Sequence, residues 1–81
     1  MPNGIREYDV VALLDDVPAT HFHTRQPLLL KRGQVGTVVM LYDGTAVEVE
    51  FSATDGATYA LETLPVEKLM VLKHAPEVAL S

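Results

Sequence analysis

The chain has 81 residues, 48% of them hydrophobic, enough for one domain and a single modest core. It contains no cysteine, which excludes thiol catalysis, thiolate metal sites and disulfide staples. A net charge of −5 with only six Lys and Arg argues against a surface built to neutralise phosphates.

Residues 1–7 read as an N-terminal leader without the apolar stretch of a secretion signal. No segment reaches the length that spans a bilayer, so a soluble, cytoplasmic protein is expected. Residues 8–14 form a β-branched and aliphatic run that stops at Asp15-Asp16, the first expected strand. Residues 17–32 then read as a long irregular loop broken by Pro18 and Pro27 and closed by Gly33. Gly33 and Gly36 lie three apart at the entrance to the second strand, residues 35–41. Glycine there supplies either positive φ or room for close backbone approach.

Asp43-Gly44 is a hairpin signal leading to residues 46–51, the clearest strand. Val47, Val49 and Phe51 point one way and Glu48 and Glu50 the other, a period of two with one core face. Asp55-Gly56 supplies a second turn, and residues 57–62 return as a fourth strand with Tyr59 and Leu61 inward. Pro65 suits the first position of a single helical or 3-10 turn, followed by a short closing strand over residues 69–72. Residues 73–81 are expected to fray. The fold class expected is therefore all-β: a small five-stranded SH3-like barrel over residues 8–72, with a long first loop and a one-turn helix before the last strand.

Tyr8-Asp9-Val10-Val11, Gly33-x-x-Gly36-Thr37-Val38-Val39, Val47-Glu48-Val49-Glu50-Phe51 and Leu69-Met70-Val71-Leu72 together resemble an uncharacterised family of small stand-alone bacterial proteins. That resemblance covers roughly residues 6–72 and implies an architecture without an activity. His23-Thr24-Arg25-Gln26-Pro27 followed by Lys31-Arg32-Gly33-x-x-Gly36-Thr37-Val38 is similar to the C-terminal barrel of the nitrile hydratase β-subunit. The metal-binding cysteines of that enzyme lie on its other subunit, and this chain has none. Residues 51–69 also resemble the small photosystem I accessory barrel. Jointly these resemblances imply a protein-docking barrel of the electron-transport-accessory kind.

Candidate sites were weighed against ordinary structural uses. His21 and His23 could share a metal or small ligand, with a third donor from His74, Asp15 or Asp16 at no recognised spacing; paired histidines in a polar loop are more often solvated. Arg25, Lys31 and Arg32 could bind an acidic partner or a nucleic acid, with Tyr8, Phe22 and Tyr42 as stacking platforms. Glu48, Glu50, Glu62 and Glu67 oppose that field. Leu28, Leu29 and Leu30 cannot all face one way in extended chain, so at least one is exposed or packed by the loop.

Ser52 and Ser81 have no histidine nearby in sequence, adjacent Asp15-Asp16 fits a solvated turn, and no nucleotide or zincin pattern occurs. The expectation is a non-enzymatic module without cofactor, and without membrane or nucleic-acid partners. It would bind a protein through Phe22, Arg25, Leu28, Leu29, Leu30, Lys31, Arg32 and Tyr42. Pairing of open sheet edges in a homo-oligomer is a further expectation.

Overall fold

A computed structural model describes residues 4–73. The chain is all-β, with seven strands, one 3-10 turn and no α-helix among the described residues. In order these are β1 (Val10–Leu13), β2 (Val17–Thr20), β3 (Pro27–Leu30), β4 (Val35–Tyr42), β5 (Ala46–Ser52), β6 (Thr58–Pro65), the 3-10 turn Val66–Lys68 and β7 (Leu69–Val71). Five strands form one antiparallel sheet in the order β6-β5-β4-β1-β7, and β2 and β3 form a separate two-stranded hairpin.

The five expected strands are thus the members of the larger sheet, with small changes of boundary. The long loop is the correction. Residues 17–30 hold a hairpin paired Val17 to Leu30 and Thr20 to Pro27. Its prolines mark no break, because both strands lie at edges, where a missing N–H leaves no ladder bond unmade. Alternation sends Val17, Ala19, Leu28 and Leu30 toward the larger sheet, and Pro18, Thr20, Pro27 and Leu29 toward solvent.

The core lies between that hairpin and one face of the five-stranded sheet. β5 contributes Val47, Val49 and Phe51 as expected, all but sealed from solvent, with Glu48 and Glu50 on the outer face. On β6 the expected inward pair holds at Tyr59 and is corrected at Leu61. Ala60 and Leu64 are buried, whereas Leu61 pairs with Glu50 on the outer face. A register shift between Phe51 and Ser52 makes Tyr59 the extra residue of a bulge, and its ring still packs against the core. The leader is not wholly outside the fold either, since Ile5 joins the core cluster. The expected fraying of residues 73–81 falls, beyond Lys73, outside the described residues.

The two sheets do not close into one barrel. β2 approaches β6 through Phe22 N–H, which donates to the Tyr59 carbonyl at 2.8 Å. Thr20 N–H donates instead to the Glu62 carboxylate at 3.1 Å. Glu62 lies opposite Val49, on the core-facing side of β6, so its carboxylate stands where a strand-to-strand bond would otherwise form.

The two glycines of the Lys31–Val39 run have different jobs. Gly33 has φ +88°, the left-handed region. Gly36 is buried opposite β5, and a Cβ there would lie 2.6 Å from Val49 Cγ1 and 2.9 Å from the Glu50 carbonyl oxygen. One methyl group therefore forces strands β4 and β5 apart. Gly36→Ala is expected to lower the unfolding free energy by about 1–3 kcal/mol, the usual cost of overpacking. Urea denaturation followed by circular dichroism measures it; an unchanged midpoint contradicts this account of Gly36.

Candidate functional site

The eight residues proposed from sequence do not form one surface. Phe22 and Arg25 lie in the β2–β3 connection, at the hairpin tip, and Lys31 and Arg32 follow β3 at its base. Tyr42 ends β4 at a different hairpin, where Asp43 and Gly44 both take positive φ, as the Asp-Gly signal required. Leu30 is buried and Leu28 is half-buried in the core, so neither is available to a partner. Phe22 and Leu29 remain outside, at 43% and 49% exposure.

Local hydrogen bonding explains why the chain folds this way at the base. Asp16 Oδ1 accepts the Arg32 N–H at 2.8 Å, and its other oxygen lies 3.8 Å from Lys31 Nζ. Asp15 pairs separately with Lys68 at 3.3 Å. The adjacent carboxylates therefore face two different cations, one of them part of the basic spot. Gln34 completes the clamp: Oε1 accepts the Lys31 N–H at 2.8 Å and Nε2 donates to the Tyr59 hydroxyl. Gln34 is not singled out in the sequence, and Glu62 figures there only as one of four glutamates opposing the basic field. A polar residue between two glycines, and a glutamate in an otherwise alternating strand, were the available signals.

At the tip, His21 Nδ1 accepts the backbone N–H groups of His23 and Thr24 at 3.1 and 3.2 Å. This imidazole caps the turn as an Asp side chain would, and the nitrogen so used is not free for a ligand. The His23 ring lies 6.2 Å from it, centroid to centroid. Asp15 and Asp16 are at the opposite end of the hairpin, and His74 lies outside the described residues. Among the described residues no group of three or more His, Asp or Glu is placed to hold a metal ion.

The outer face of β4 and β5 carries the remaining polar geometry. The Tyr42 hydroxyl donates to Glu48 Oε1, and the Thr58 hydroxyl donates to Glu50 Oε2. The bond to the Glu48 carboxylate raises the Tyr42 pKa above its ordinary 10.0, with desolvation and the glutamate charge adding to it. Among the exposed apolar side chains, Pro18, Pro27 and Leu29 share the outward hairpin face with Thr20, and Phe22 lies at the tip; Pro27 and Leu29 fall between Arg25 and Arg32 in the chain.

Two outcomes test this geometry. Because the neutral phenol is the favoured partner of Glu48, its contribution is complete below pH 10 and is lost as pH rises through the raised value. Ultraviolet titration of the tyrosines should show one component move back toward 10 in Glu48→Gln. Glu62→Ala should accelerate hydrogen exchange at the Thr20 amide, whereas Glu62→Gln, which retains an acceptor, should change it little. Equal exchange in all three proteins would remove Glu62 from the hairpin's anchorage.

In comparisons with known proteins, no curated protein and no solved structure matches this chain. One family profile does, described as Domain of unknown function (DUF4926), over residues 7–71. That span runs from just before β1 to the last residue of β7 and includes the whole β2–β3 hairpin. The chain belongs to the DUF4926 family.

Proposed function

We propose that this protein is a non-enzymatic accessory module that docks another protein on the outward face of the β2–β3 hairpin. The observation that carries the reading is the apolar character of that face. Pro18 and Leu29 are directly opposite one another, Pro27 begins β3 opposite Thr20, and Phe22 stands at the tip, all exposed. Prolines and a hairpin fastened at both ends supply a surface that loses little conformational entropy on binding. Arg25 at the tip and Arg32 at the base suit a partner whose apolar strip is flanked by carboxylates. Membership of a family of unknown function is compatible with such a role and names none.

The test uses a full-length tagged chain expressed in its native host, with covalent crosslinking before capture. Leu29→Glu combined with Phe22→Ser alters only exposed side chains and should leave the melting temperature within a few degrees of the parent. The expected result is a protein crosslinked to the parent and lost from the double variant. Equal capture by both overturns this surface. Titration with single-stranded and duplex oligonucleotides at low salt decides the nucleic-acid reading, for which salt-dependent binding is the signature. None is expected, because the chain carries a net charge of −5 and only six Lys and Arg.

A further inference from the structure

We infer that the free edge of β7 is a self-pairing surface whose occupant is a second copy of the chain. The argument begins with which backbone groups face outward. β7 pairs with β1 in the register Ala12 to Met70, and Leu72 N–H donates to the Val10 carbonyl while Leu14 N–H donates to the Lys68 carbonyl. Even-numbered residues of this strand therefore turn their backbone toward β1. Odd-numbered residues turn theirs away, and no described strand lies beyond β7 to receive them. Leu69 N–H is already used by the Val66 carbonyl of the 3-10 turn. What faces outward is the Leu69 carbonyl, both groups of Val71, and the N–H of Lys73.

That set matches itself across a two-fold axis. With Val71 opposite Val71 of the second copy, the two residues exchange both bonds of an antiparallel pair. Each Lys73 N–H then meets the Leu69 carbonyl of the other copy; the reverse bond of that pair is not made, because the Leu69 N–H already serves the Val66 carbonyl. The side chains agree with the backbone. In this register Met70 lies directly opposite Leu72 of the second copy on the outer face. Met70 is 50% exposed, and the same row continues through Ala12 to Val35, itself 48% exposed. The outcome is one ten-stranded sheet, an isologous interface of the commonest symmetry.

The other edges are guarded. β2 and β3 each carry a proline, and the Tyr59 carbonyl on the open side of β6 is taken by Phe22 N–H. β7 has no proline, no bulge and no charged side chain within Leu69–Val71; its neighbour Lys68 is held by Asp15.

Light scattering of the intact protein from micromolar to millimolar concentration reads the mass against the 8.9 kDa chain. The expected result is a rise toward twice that mass, favoured by added salt because each copy carries a charge of −5. Amide exchange at Val71 should slow as concentration rises. Met70→Lys, a change at an exposed position, should keep the circular dichroism spectrum, abolish the rise in mass and make Val71 exchange independent of concentration. A chain that stays monomeric throughout overturns the inference, and so does a dimer that Met70→Lys leaves intact.

Discussion

The fold depends on how closely β4 can approach β5 at Gly36. In the register that pairs Thr37 with Glu50, Gly36 falls opposite Phe51, and a Cβ at Gly36 would lie 3.0 Å from Phe51 Cδ2. The missing side chain is therefore space occupied by the aromatic ring, an arrangement known to hold glycine positions in sheets. Phe51 is fully buried, and the Tyr59 ring lies 6.5 Å from it, centroid to centroid, on the next strand. From Tyr59 the hydroxyl reaches Gln34 and the carbonyl reaches Phe22, so one close approach places both the clamp at the hairpin base and the attachment at its tip.

A sheet of this size has only one apolar face, and a single layer cannot bury it. The β2–β3 hairpin is the second layer. It adds Leu30 to the core and lays Val17, Ala19 and Leu28 against it, which makes the hairpin indispensable to stability whatever its outer face does. That double duty explains why the three leucines read ambiguously. Leu28 and Leu30 belong to the core, Leu29 belongs to the surface, and alternation separates them cleanly once the segment is recognised as a strand.

Much of the larger sheet was legible from residues 46–51, where alternation runs unbroken, and from the two Asp-Gly pairs that mark the turns on either side. The hairpin was not, because two strands of four residues give a periodic signal hardly longer than its own noise, and Pro18 and Pro27 read as breaks. Only the knowledge that both strands are edges reconciles the prolines with extended structure. Bulges were illegible for a related reason: a one-residue shift at Ser52 keeps Tyr59 against the core while turning Leu61 outward, without altering any local propensity. For the site, residue types were readable but their assembly was not. Arg25 and Lys31 look adjacent in sequence, yet a hairpin strand runs between them.

The polar residues that suggested chemistry are occupied by folding. Asp15 and Asp16 hold Lys68 and Lys31, His21 caps a turn, Glu62 receives Thr20, and Gln34 joins the loop to Tyr59. Among the described residues no buried side-chain nitrogen or oxygen lacks a partner, and each of these more exposed groups takes part in the fold's own hydrogen bonds or ion pairs. A structural role of that kind requires each group at one place only. Outward apolar residues, among them Leu29 and Phe22 on one layer and Met70 and Val35 on the other, stand apart from that polar network. Exposed apolar side chains on rigid strands lose water when covered and cost little entropy to hold in place.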